Sequence, residues 1–169
     1  MISNKNIFFI VMSCAIAAAC SYSFTGASVP SHLNTIAIPV VDDRSGSGEP
    51  GLRETFTDEL IQKFINDNSL EVADRTSADA ILEVVILSVP EAPSAVTEGE
   101  NVETRRITIS VKAVYRDLVK RETIFDKNFS NYSDFRTDTG NYLEARNSAI
   151  EEATDKLTED ILLGVVADW

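Results

Sequence analysis

Between positions 105 and 121 the chain carries Arg105, Arg106, Lys112, Arg116, Lys120 and Arg121 against a single acid, Asp117, in a protein whose formal net charge is −12. Guanidinium and ammonium groups in such a run bind phosphates or carboxylates through charge-assisted hydrogen bonds. In "RITISVKAVYR", strand alternation sends Arg106, Lys112 and Arg116 to one face, about 6 to 7 Å apart per two-residue step. An exposed sheet face whose cations discourage edge pairing is the plainer use of the same row, and the spacing fits either. Other chemistries find little support. His32 is the one histidine, so no nucleophile–histidine pair and no multi-histidine metal site can be built. "SGSGEPG" lacks the lysine and following Ser or Thr of a phosphate-binding loop. Asp42, Asp43 and Glu49 do not have the spacing of a calcium-binding EF-hand, and Glu151 and Glu152 lie on a helix flank as solvated charges. The expectation is a protein that is not an enzyme, without cofactor or metal.

Cys20 is the other reactive position. The segment "MISNKNIFFIVMSCAIAAAC" has one lysine at position 5, an apolar run from Ile7, and three alanines before Cys20, the layout of a secretory signal peptide. The run stops at Ala19, short of the roughly 20 apolar residues of a membrane span, and has no cationic flank beyond it. Small residues followed by cysteine resemble a bacterial lipobox, in which the thiol is diacylated and the cysteine becomes the first mature residue, although Ala17 stands where leucine is commoner. A rival box, "VMSC", ends at Cys14 but leaves an apolar stretch of only about five residues. An ordinary signal peptide cut near Cys20 is the third alternative. Ser21 in place of Asp favours the outer membrane. With Cys14 removed and Cys20 acylated, no thiol remains for a disulfide or metal site. Residues 1–19 contain Lys5 and no acid, so their loss moves the net charge from −12 to −13. Binding to nucleic acid through bulk charge is excluded on that ground.

The elements that must hold the basic row follow from periodicity. "NTIAIPVV" alternates Ile36, Ile38 and Val40 as a strand, with Pro39 arguing for an edge or a bulge. "LRETFTDELIQKFINDN" sets Leu52, Phe56, Leu60 and Phe64 at spacing four, with Ile61 and Ile65 beside them: an amphipathic helix from near Pro50 to Asn66–Asn68. "LEVAD" reads as a short strand and "AILEVVILSV" as a central one; Pro90 to Glu103 reads as a long loop. Ile107, Ile109, Val111, Ala113 and Tyr115 form the core face of the basic strand, and a turn leads to a hairpin partner with Phe125 and Phe129 on one face. From Asn141, a possible cap with Glu144, a last helix lines up Leu143, Ile150, Ala153, Leu157, Ile161 and Val165 and ends near Trp169. The order predicts an α+β fold: a mixed, largely antiparallel four-stranded sheet, with room for one extra short strand, and two helices packed on one face. The chain divides into a signal peptide at 1–19, a lipidated tether at 20–33 and one domain at 34–169.

Taken in order, "CSYSFTGASVP", "LNTIAIP", "FTDELIQKF", "ADAILEVVILSV", "RRITISVKAVYRD", "FSNYSDF" and "EDILLGVVADW" resemble the LptE family of lipopolysaccharide-assembly lipoproteins over nearly the whole mature chain. No single piece is specific; their order and spacing are. The resemblance implies two helices on a four-stranded sheet, held one-to-one inside the lumen of an LptD-type β-barrel in the outer membrane. There the domain plugs the barrel, assists its assembly and contacts lipopolysaccharide on its way to the outer leaflet. Arg105, Arg106, Lys112, Arg116, Lys120 and Arg121 become the candidates for lipopolysaccharide phosphates or acidic lumen residues. A strand ending in proline, a Gly/Ser-rich loop and "FTDEL" also occur in other periplasmic lipoproteins, so a CsgG-like secretion-channel subunit or an activator of a cell-wall synthase is the alternative. "FSNYSDF" and the terminal tryptophan favour LptE.

Overall fold

A computed structural model describes residues 29–96, 103–138 and 140–167. The expected signal peptide at 1–19, Cys14, Cys20 and Trp169 lie outside the described residues.

Strand β6 (Glu103–Asp117) organises the sheet, because its alternation is the cleanest in the chain. Ile107, Ile109, Val111, Ala113 and Tyr115 are all at 0% exposure, as period-two side chains sent to one face should be. Strand β7 (Glu122–Arg136) returns after a short turn and pairs with β6 as the expected antiparallel hairpin. On its other side β6 meets β4 (Ala80–Ser88) and then β5 (Glu91–Val96), both antiparallel. Beyond β4 the pairing turns parallel: β1 (Thr35–Ala37) and β2 (Asp42–Asp43) both lie on β4, and β3 (Glu71–Val72) lies on β1.

The mixed sheet therefore has seven strands among the described residues, not the expected four. One of the three additions, β3, is the short strand read at "LEVAD"; of the other two, β2 is two residues long, too short to show alternation, and β5 contains a proline. Part of the segment read as a loop, Pro90 to Glu103, is strand β5; Pro93 sits at its register shift, where a missing N–H removes no regular ladder bond. Pro39 does not put β1 on an edge, since β1 is paired on both sides. Instead the strand stops at Ala37, and pairing to β4 resumes at Asp42.

Helix α1 (Leu52–Asp67) buries Leu52, Phe56, Leu60 and Phe64, the predicted stripe. Gly51 precedes it at φ 74°, a left-handed conformation that suits a residue without Cβ. Asn68 ends it in the same region, its N–H closing on the Phe64 carbonyl at 3.0 Å. Helix α2 (Tyr142–Val166) opens on Asn141, whose side chain accepts from the Glu144 N–H at 3.3 Å and donates to the Glu144 carboxylate at 2.8 Å. Ala153, Leu157, Ile161 and Val165 are buried, but Leu143 is 67% exposed and is not part of the stripe. At that first turn Tyr142 takes the packing position instead, its ring centroid 5.5 Å from that of Phe135. The two helices touch, and their stripes join Leu82, Val84 and Ile86 of β4 in one core on one face of the sheet. This is the α+β arrangement that the periodicity predicts.

Candidate functional site

Among the described residues the second face of the sheet carries no helix, and there the remaining β6 side chains, from Thr104 to Arg116, are half-buried. Arg106 forms two parallel bonds to Asp134, Nε to Oδ1 and Nη2 to Oδ2, both at 2.8 Å. Its guanidinium also lies 3.7 Å from the centre of the Tyr132 ring. This bidentate bond holds the Asp134 carboxyl below the usual carboxylate range. Lys112 reaches Asp126 at 3.0 Å, also on β7. Arg116 bonds Glu83 of β4, and Arg75 approaches the same carboxylate at 3.6 Å. Three cations that stand almost alone in the sequence are thus matched by acids from the neighbouring strands.

Arg105 points the other way, toward the helices. It bonds Glu91 at 2.5 Å, and Glu91 also accepts from Tyr142 Oη at 2.6 Å and Arg146 Nε at 3.0 Å. Arg146 in turn grips Glu49, with Nη1 to Oε2 at 3.0 Å, so the loop before α1 is tied through α2 to β5 and β6. The Arg146 side chain is only 19% exposed. Burial pushes the Glu91 carboxyl up, but the bonds from Tyr142, Arg105 and Arg146 outweigh it and hold the group below its ordinary value. The bond to Glu49 raises Arg146 further above its already high value.

The third region is the β6–β7 turn. His32 Nε2 lies 2.6 Å from Asp117 Oδ2, and the other oxygen of Asp117 accepts from the Lys120 N–H at 2.7 Å. Burial pushes the Asp117 carboxyl up; the His32 and Lys120 bonds more than reverse this. Nearby, Asp79 collects the Asn34 N–H at 2.9 Å and the Thr35 N–H and hydroxyl at 3.1 Å. Beside the turn is a pocket of about 360 Å³ whose lining includes Arg75, Arg116, Arg121 and Leu118, with Asp117 and Glu122 as its acids. Lys120 and Glu122 are 3.9 Å apart. Arg121 projects from the turn at φ 60° with no ion-pair partner among the described residues.

The six cations therefore do not form one patch. Arg106, Lys112 and Arg116 share a face, Lys120 and Arg121 sit at the turn, and Arg105 belongs to the helix side. Sequence reasoning missed Arg75, which comes from the β3–β4 connection, and the acids Glu83, Asp126 and Asp134. The hairpin register carries a direct signal for one of these, since Arg106 faces Asp134 across the strands, whereas Lys112 faces Asn128 and reaches Asp126 on the diagonal. Among the described residues no group of three or more His, Cys, Asp or Glu is placed to hold a metal ion.

Comparison with known proteins places this geometry. The family model LptE, described as lipopolysaccharide-assembly, matches residues 33–163. No curated protein matches the chain. Among solved structures, a hypothetical protein of Chlamydia trachomatis superposes with a TM-score of 0.61 at 12% identity, over 79% of this chain and 95% of that one. A minor lipoprotein of Acinetobacter baumannii gives 0.54 at 7% identity, over 80% and 94%. The PelC dodecamer of Paraburkholderia phytofirmans gives 0.55 at 9% identity, over 85% and 96%. At these identities the likenesses establish the shared fold.

Proposed function

The chain belongs to the LptE family of lipopolysaccharide-assembly proteins, and on that premise we propose that it is an outer-membrane lipoprotein which plugs and helps assemble an LptD-type barrel. The observation that carries the reading is the family match across the folded domain, from Leu33 through most of α2. Acylation of Cys20 supplies the anchor at the periplasmic face, and the domain occupies the barrel lumen in a one-to-one complex. A sheet face that is polar, and whose cations are neutralised pairwise, suits the wall of a water-filled lumen.

Contact with lipopolysaccharide falls to the turn end of the domain. Among the described residues Arg121 has no acid partner there, and Arg75 and Arg116 share the single carboxylate Glu83, so phosphate groups find unmatched donors in the pocket. Lys120 lies beside them. Arg106 and Lys112 take an anion only by releasing Asp134 and Asp126, and Arg105 only by opening the network around Glu91.

A second reading, a subunit of an export assembly, is favoured by one observation: the fold is shared with PelC, which is described as a dodecamer. A mild-detergent pulldown of the tagged full-length protein from its host's outer membranes separates the two. Recovery of one large β-barrel at one to one is the expected result; a ring of its own copies, or a cell-wall synthase, overturns it. In the same cells Cys20→Ala abolishes palmitate labelling, and continued labelling of that variant removes the acylation site.

A further inference from the structure

Strand β7 forms an edge of the sheet, with β6 as its one strand partner among the described residues. Helix α2 closes part of that edge. Ser133 Oγ donates to Glu152 at 2.8 Å, Lys156 Nζ donates to the Tyr132 carbonyl at 3.4 Å, and Asn131 Nδ2 donates to Asp160 at 2.9 Å. The Tyr132 N–H donates to Asn131 Oδ1 at 2.8 Å. Both main-chain groups of Tyr132 are thus turned away from β6 and satisfied inside the chain. Residues along an antiparallel strand alternate in which side both groups face. Asp126, Asn128 and Ser130 therefore turn theirs to the same edge, their side chains are exposed, and among the described residues nothing bonds those groups.

The reason the closure stops is in the helix. Glu152, Lys156 and Asp160 recur every four residues along the edge, and the next position of that row is Gly164, which has no side chain to offer. A Cβ there would meet the Phe129 ring at 3.0 Å, so the ring takes the place of a capping group. The edge is sealed at Asn131–Ser133 and open over Asp126–Ser130.

We propose that this open stretch receives an extended segment of a second polypeptide as an added strand, a mode in which main-chain bonds give affinity and alternate side chains give selectivity. A second copy of this chain is a poor occupant. Pairing Asp126–Ser130 with itself in antiparallel register sets Glu122 opposite Asp134 at both ends, and each copy carries a net charge of −12. The fitting segment is about five residues long, with an apolar side chain beside Phe129 on the helix side and a cation or hydroxyl beside Asp126 on the other. The surface lies on the edge, apart from the cationic turn end, and does not depend on lipopolysaccharide.

The test is photocrosslinking of the full-length protein in its host's membranes, with benzoyl-phenylalanine placed in turn at Asn128 and Phe129. The expected result is one adduct with another polypeptide, mapped by mass spectrometry to neighbouring residues of a single extended segment that alternate between the two probe positions. Asn128→Pro removes an outward N–H without touching a bond to β6, and lowers the adduct from a probe at Ser130 at least ten-fold. An adduct of twice the chain's mass, adducts scattered over unrelated proteins, or no adduct overturns the proposal. So does a folded Asn128→Pro protein that crosslinks unchanged; should that variant not fold, a map without alternation is decisive.

Discussion

Arg105 and Arg106 are neighbours on one strand, each bonded to a carboxylate, and they lead different lives. Arg105 faces the helices and joins Glu91, Arg146 and Glu49 in a network whose members are mostly shielded from water. Arg106 faces outward, and both it and Asp134 are more than a third exposed. The bond chemistry is shared; the solvent differs. A shielded pair holds structure together, because removing one partner strands the other in a poor medium. An exposed pair adds little, because water and salt replace what is lost. The outward pairs are therefore the ones that can exchange an internal acid for an external anion.

That comparison breaks most visibly at Arg146. Arg146→Ala leaves Glu49 and Glu91 without their shared donor, and is expected to lower unfolding stability by about 2–3 kcal/mol in urea titration. A loss too small to resolve would make the two networks equivalent. Next in size is Arg121→Glu, which is expected to reduce binding to vesicles carrying lipid phosphates about ten-fold, with the far-ultraviolet circular dichroism unchanged. Equal binding would show that the turn end is not where anions dock.

Glu59 tests the middle ground. Burial, with the charge of Asp155 on the facing helix, pushes its carboxyl up from 4.5 to about 7. The native state thus holds a proton there that the unfolded chain has released, and stability is expected to fall as pH rises through that window. Because the site is partly open to water, the change is about 1 kcal/mol between the two ends. Glu59→Gln should flatten the slope, and an unchanged slope would place the proton elsewhere. The smallest effect belongs to Arg106→Ala, which should leave the melting temperature within about 3 °C of the parent.

What could be read from the residues, and what could not, divides along the range of the interactions. Ile107 through Tyr115 declared their face because alternation is local, and so did the Leu52–Phe64 stripe. Leu143 obeys the same helical spacing yet lies outside the core, because the spacing does not tell where the sheet ends. The strand β2 is too short for any pattern, and exists because β4 offers it an edge. The basic run was legible as charge, but its meaning lay in Glu83, Asp126 and Asp134, which only register and topology bring across. His32 had no local signal at all, since its partner Asp117 is 85 residues away. Gly164 looked like any glycine until the row of side chains that it interrupts was in place.

The bonds that His32 and its neighbours make have a mechanical consequence. Tension arriving from the N-terminal side would otherwise peel β1, a strand of three residues, from the sheet one bond at a time. The load first meets His32 on Asp117, and at the mouth of that strand Asn34 and Thr35 on Asp79, groups carried by the end of β6 and by the residue that leads into β4. A pull on the chain ahead of His32 is therefore spread over the two most central strands at once, and the domain resists as a block.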